Sequence, residues 1–242
     1  MLAGQPVDVG QATNSLGHPL ILWQLAFLIW TEEVEDRTPT VLQSAAERVA
    51  GHVPGARLFT QLSGSRDLRC WVASAETPTT QALAAIAATV TCGEGPFDRM
   101  SVALGRAARG VEGFRNSHLE ARSAQRVAMA ATTAPAFIDY SSVELLCLAM
   151  ADLPALRRMV HREIGPICAG DKSLAAVRET VLAYLRNRMN VETTAERLFV
   201  HGNTVRNRLA KAEALLGHPL ADRAAVVELA LQYVAYFGPV AD

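Results

Sequence analysis

Strand-type patterning in this chain stops at Tyr140. Before that point, apolar runs of strand length alternate with segments of helical period; from Ser141 onward every apolar pattern repeats at three and four residues. A chain patterned this way cannot close one continuous sheet. It is expected to be an α+β protein, with a sheet domain followed by an all-α domain.

In the front part the longest apolar run, Leu20 to Trp30, is interrupted by Gln24 and ends at Thr31, Glu32 and Glu33. That is well short of the roughly 20 residues a membrane helix needs, so it reads as a buried strand and no membrane partner is expected. Thr38-Pro39 is a helix start, followed by Leu42, Ala45, Ala46 and Val49 on one face before Gly51. Two apolar runs, Ala56 to Leu62 and Leu68 to Ser74, flank the turn formers Ser63-Gly64-Ser65-Arg66-Asp67 and predict a β-hairpin. A second helix start at Thr77-Pro78 leads into Leu83, Ile86, Ala87 and Val90, and Met100 to Gly105 is a further strand. The resulting order, βαββαβ, is the split βαβ or ferredoxin-like arrangement: a four-stranded antiparallel sheet with helices on one face. A helix near Val111 to Ala131 and a strand at Phe137 to Tyr140 extend it.

The back part offers helical segments at Val143 to Met150, Pro154 to Ile164, Leu174 to Arg188, Glu192 to Phe199, Thr204 to Leu216 and Ala224 to Phe237. Gly170-Asp171-Lys172 interrupts them, and Ser173 can cap the helix that follows. The expected division is a tail at 1–18, the sheet domain at 19–140, a helical connector at 141–172 and a helical domain at 173–242. With 242 residues, half of them hydrophobic, both domains can bury a core.

Charge is uneven although the formal net charge is only -1. Glu32, Glu33, Glu35 and Asp36 form an early acidic cluster. Arg186, Arg188, Arg197, Arg206, Arg208 and Lys211 face only Glu192 and Glu196 in their segment, a local excess of four positive charges that suits nucleic acid. Cys70, Cys92, Cys147 and Cys168 contain no C-x-x-C pair, which fits buried thiols in a reducing compartment rather than disulfides or zinc. Met1 to Gly17 lacks the features of a signal peptide, and a cytoplasmic location is expected.

The basic segment has the form of a helix, a turn and a helix. Asn190 can cap the first helix, Ala195 is small enough for close helix approach, and Leu198 and Val200 point to a shared core. After the turn His201-Gly202-Asn203, the second helix buries Val205, Leu209, Ala212 and Leu216, while Thr204, Asn207, Arg208 and Lys211 are assigned to the opposite face. Asn203 and Thr204 stand at its N-terminus, where free N–H groups favour phosphate. Asn207 and Arg208 are expected to approach base edges of double-stranded DNA; Thr193, Thr194, Arg206 and Lys211 are expected to hold phosphates, and His201 to lie at the DNA. Two short helices around a turn are also a common packing unit in helical domains.

The run Asn190-Val191-Glu192-Thr193-Thr194-Ala195-Glu196-Arg197-Leu198-Phe199-Val200-His201-Gly202-Asn203-Thr204-Val205-Arg206-Asn207-Arg208-Leu209 resembles the C-terminal helix-turn-helix of PucR/CdaR-type transcription regulators. The family segment reads like N-V-S-x-T-A-x-x-L-x-V-H-R-N-T-V-R-Y-R-L, followed by a glutamate and L-x-G, here Glu213 and Leu215-Leu216-Gly217. Glu179-Thr180-Val181-Leu182-Ala183-Tyr184-Leu185 upstream is also similar. Gly202 takes the usual arginine position and Asn207 the usual tyrosine position. The glycine removes a candidate phosphate cation, which should lower affinity and weaken its salt dependence.

Residues from about Pro19 to Tyr140 resemble the GGDEF-like domain that precedes this motif in CdaR-type regulators, including Gly105, Gly113-Phe114-Arg115-Asn116-Ser117 and Glu120-Ala121-Arg122. Cyclases of the GGDEF type carry their glycines and paired acids in the turn of the central hairpin. Here that turn holds a single acid, Asp67, beside Arg66, so two-metal phosphoryl chemistry and an enzymatic role are not expected. No P-loop, dinucleotide glycine fingerprint, G-x-S-x-G or H-E-x-x-H occurs, and no cofactor or metal is expected. Asp98, His118 and His161 read as surface or helix polar residues, and His201 lacks a second ligand at zinc spacing.

The resemblance thus implies a DNA-binding transcription regulator. The other reading is a ligand-sensing or oligomerising module with weakened or lost DNA binding, its front domain taking an unidentified small-molecule effector. Val226, Val227, Leu229, Ala230, Val234 and Phe237 in the last helix exceed one narrow stripe; they form either a homodimer interface or the completed core of a monomer.

Overall fold

The computed structural model describes residues 8–33, 35, 37–168 and 172–240. Asp36 of the acidic cluster, Gly170 and Asp171 of the expected joint and the first seven residues lie outside the described residues. The chain divides into two compact units, Met1–Glu144 and Leu145–Asp242.

The first unit is built on a mixed sheet. Its strands are β1 (Trp23–Thr31), β2 (Arg57–Leu62), β3 (Asp67–Ser74), β4 (Met100–Leu104), β5 (Ala108–Arg109) and β6 (Phe137–Asp139). They lie in the order β2-β3-β1-β4-β6, with β5 also paired to β1. The β1–β3, β1–β4 and β2–β3 pairs are antiparallel, as the split βαβ pattern requires, and β6 joins β4 in parallel. The hairpin register sets Phe59 opposite Trp71 and Leu62 opposite Leu68, with the expected turn between them.

Both faces of this sheet are covered, which differs from the one-sided arrangement read from the sequence. Leu25, Phe27 and Ile29 of β1, with Leu68, Cys70 and Val72 of β3, pack against α2 (Thr38–Ala50) and α3 (Thr80–Thr91). The intervening Ala26 and Trp71 point the other way, into a second cluster with Ala12, Leu20 and Phe114. Two helices supply its cover: α1 (Val9–Leu16), within the segment read as a tail, and α4 (Gly110–Ala130). Because successive strand residues face opposite sides, the unbroken apolar run Leu25 to Trp30 in β1 already required cover on both.

Two glycines let α4 lie close to the strands. A Cβ on Gly105 would stand 2.0 Å from the Ser117 carbonyl oxygen, and one on Gly113 would stand 2.1 Å from that of Ala108. At this short separation the Ser117 hydroxyl accepts the Ala26 N–H (2.7 Å), and the Trp71 indole N–H donates to the Phe114 carbonyl (2.9 Å). The Trp71 and Phe114 rings stack at 4.5 Å, an arrangement worth about 0.5–1.5 kcal/mol beyond the area it buries. His118, one turn further along α4, lies 4.9 Å from the Trp71 ring. It is buried rather than at the surface, and neither ring nitrogen has a hydrogen-bond partner. Burial, followed by the nearby charges of Arg69 and Arg122, lowers its pKa to about 4.

Helix α5 (Tyr140–Ala149) spans the boundary between the units. In the second unit α6 (Leu153–Cys168), α7 (Lys172–Arg186), α8 (Val191–Leu198), α9 (Gly202–Leu216) and α10 (Ala224–Phe237) follow. Helix α7 packs on α6, α8, α9 and α10, so α8 and α9 rest on a helical base. On α10 the buried apolar positions are Val227, Ala230, Leu231, Tyr233 and Val234; Val226, Leu229 and Phe237 are half-buried.

Candidate nucleic-acid interface

Each motif helix begins where a side chain satisfies a free N–H. Asn190 Oδ1 accepts the Thr193 N–H at 2.9 Å, the cap expected from the sequence. His201 does the same for α9, its Nδ1 accepting the Asn203 N–H at 3.1 Å, so that the neutral ring carries its proton on Nε2. Between them α8 ends on Phe199 in the left-handed region (φ 53°), and the Val200 N–H closes back on the Ala195 carbonyl.

Val205, Leu209 and Ala212 are buried and Leu216 half-buried, so α9 commits the anticipated face to packing. The opposite face differs from the sequence assignment. With about 100° between successive residues, Asn203, Asn207, Ala210, Lys211 and Ala214 lie opposite the buried stripe and are exposed, and Arg206, also exposed, lies at the edge of that face. Thr204 and Arg208 instead occupy the flank beside α7, which the long Lys211 side chain also reaches. Thr204 and Arg208 are half-buried, Arg208 Nη1 donates to Thr180 Oγ1 (3.1 Å), and Lys211 Nζ donates to Ser173 Oγ (3.3 Å). Arg208 was expected at base edges; its contact with α7 sets it off the outward face.

Thr193 is exposed at the start of α8, but Thr194 is fully buried and its hydroxyl donates to the Asn190 carbonyl at 2.6 Å. The phosphate contact expected of Thr194 is therefore corrected: the hydroxyl is used inside its own helix and has no access to a ligand. A signal was available, because Thr194 stands three residues after Val191 and four before Leu198, on the apolar stripe.

Arg206, exposed at the edge of the outward face, is held on two sides. Its Nη2 meets Glu192 Oε1 at 2.8 Å and its Nη1 donates to Asn203 Oδ1 at 3.2 Å. Glu192 has no place among the sequence-derived site residues. The pair joins residues on different helices, and local patterning carries no sign of it. His201, Asn203, Arg206, Asn207 and Lys211 are all exposed, and Gly202 is half-buried at the first turn of α9. The arrangement offers amide and guanidinium donors beside the positive end of a helix, a surface suited to phosphates and base edges. Among the described residues no group of His, Cys, Asp and Glu could hold a metal ion, and no helix is long and apolar enough to cross a membrane.

Residues 177–235 match the PucR C-terminal helix-turn-helix domain, and residues 3–127 match the GGDEF-like domain. Comparison with curated protein sequences gives no match. Among solved structures the chain is similar to the regulator of polyketide synthase expression from Bifidobacterium adolescentis, at 19% identity and a TM-score of 0.44, over 97% of this chain and 93% of that one. On the two domain matches, the chain belongs to the PucR/CdaR-type DNA-binding transcription regulators, with a GGDEF-like domain followed by a PucR-type helix-turn-helix domain.

Proposed function

We propose that α9 enters the major groove with Asn203, Arg206 and Asn207 toward DNA, Asn207 meeting a base edge, while Thr193, His201 and Lys211 meet the backbone. The observation that carries this reading is the exposed stripe on α9 directly opposite its buried stripe. The test is selection of duplexes from a random pool by the full chain, followed by Asn207→Ala. The variant should lose discrimination at one base position by about 1–3 kcal/mol while its salt dependence stays unchanged. Uniform weakening across all sequences would instead assign Asn207 to the backbone.

In this reading the GGDEF-like domain is regulatory and not catalytic. The hairpin turn supplies only Asp67, and Asp67 accepts a hydrogen bond from Gln125 Nε2 at 3.2 Å, an assignment that supports a structural role. The sheet domain ends near residue 140, a helical connector runs to about residue 172, and the DNA-binding domain follows. The protein acts in the cytoplasm as a homodimer that reads two half-sites about one DNA turn, or a multiple of it, apart. Half-buried Val226, Leu229 and Phe237 along α10 supply apolar surface for such an interface. A small-molecule effector would act through the front domain, where a cleft of about 380 Å³ lies beside Thr31, Arg37 and Val41. Sedimentation at micromolar concentration tests the dimer, and a strictly monomeric protein would remove it from the reading.

A further inference from the structure

Glu192 and Arg206 are joined to a third position, Gly202. A Cβ built on Gly202 would stand 3.3 Å from Arg206 Nη1 and 3.9 Å from Val191 Cγ1, so the guanidinium lies over the space where a side chain at 202 would begin. Asn203 Oδ1 and Glu192 Oε1 hold it there. The family pattern carries arginine at position 202 and serine at position 192. This chain carries neither, and the two departures meet at one guanidinium.

The side chains of Arg206 and Glu192 are 54% and 71% exposed, and an ion pair in that setting contributes little to folding. Its effect lies in what the surface presents to DNA. A carboxylate beside the N-terminus of α9 repels phosphates and cancels one cation, so that cation releases no counterion on binding. The same carboxylate removes rotational freedom from a long side chain and fixes the guanidinium plane. Two of its five N–H donors are taken, and the remaining three can still form the fork that matches the O6 and N7 edge of guanine.

We propose that Glu192 is a positioning residue for DNA recognition: with Asn203 it holds the Arg206 guanidinium over Gly202 for contact with a guanine edge, and it suppresses non-specific attraction to phosphates. The inference rests on α9 being the groove-reading helix. Lowering the non-specific term raises the ratio of specific to non-specific affinity, the quantity that matters among many competing sites.

The test uses the full chain and two probes: duplexes enriched from a random pool by the wild-type protein, and a scrambled duplex of the same base composition. Binding is followed by fluorescence anisotropy across a salt series, with circular dichroism confirming that each variant is folded. Glu192→Gln should bind the scrambled duplex about three- to tenfold more tightly, with a salt slope steeper by about one, and its preference for the enriched duplex should fall. Arg206→Ala should lose preference for a guanine in the enriched site, and Glu192→Gln added to Arg206→Ala should then leave the remaining base preference unchanged. The proposal is overturned if Glu192→Gln leaves ratio and slope unaltered, or if it lowers guanine preference equally with and without Arg206. Failure of the wild-type chain to enrich any duplex would overturn the groove-reading role of α9 itself, and this inference with it.

Discussion

Arg208 Nη1 donates to Thr180 Oγ1 across 3.1 Å, and the same hydroxyl donates to the Ala176 carbonyl at 2.7 Å. An arginine that sequence patterning assigned to DNA thereby ties α9 to the helix beneath it. Arg208→Ala is predicted to destabilise the helical unit by about 1 kcal/mol, the value of one hydrogen bond, and to leave base preference intact. Thermal unfolding and duplex selection on the same variant separate the two effects; a changed base preference at unaltered stability would return Arg208 to the reading surface.

Gly202 can accept a side chain. Its backbone is outside the left-handed region, and the nearest obstacle is the flexible end of Arg206. Gly202→Arg should therefore fold normally, bind DNA more tightly and steepen the salt slope by about 0.9 through one added phosphate contact. A folded variant that binds no more tightly would show that position 202 does not reach the backbone.

The buried Glu163 carboxylate receives Arg223 through Nε at 2.6 Å and Nη2 at 2.9 Å, and Arg162 Nε lies at 2.9 Å. Hydrogen bonding from Arg223, more than offsetting burial, lowers the Glu163 pKa. Glu163→Gln should cost about 1–3 kcal/mol of stability at neutral pH, as expected for hydrogen bonds to a charged group. A depressed carboxylate contributes stability above the pKa of an unfolded glutamate and loses it as pH falls through its folded pKa. The difference between wild type and variant in denaturant unfolding should accordingly shrink in acid; a constant difference would mean that packing alone is responsible.

His118 titrates in the opposite structural setting, without a partner. Its pKa falls from 6.5 to about 4 on folding, so between those values the unfolded chain binds more protons and stability drops as pH falls. Below about pH 4 this contribution levels off. His118→Phe should flatten the loss of stability across that window, followed by Trp71 fluorescence during unfolding, whereas an unchanged acid limb would assign the loss to other groups.

Local rules carry furthest where a residue's role depends on its own helix or strand. Asn190 caps α8 because a side-chain oxygen two to three residues before a free N–H has the reach to accept it, and Val205, Leu209 and Ala212 are buried because spacings of four and three align them. Arg208 was readable by the same rule, since it lies three residues after Val205 and four before Ala212. The chemistry of arginine, attractive for DNA, outweighed its position. His118 was different. Its burial is marked by spacing, four residues after Phe114 and three before Ala121, but its meeting with Trp71 joins distant segments and is not encoded by patterning within α4.

By itself the amino-acid sequence determined an α+β chain, the antiparallel core of the front sheet, the helix-turn-helix and its family, because periodicity, caps and turn formers act over a few residues. Only the tertiary structure decided that α4 covers the second face of the sheet, that Thr194 is sealed inside its helix, and that Arg206 is exposed and held by Glu192 while Arg208 is half-buried against α7. These outcomes depend on which side chains from separate elements meet within hydrogen-bonding distance. Packing sets those meetings, and packing is a property of the whole unit.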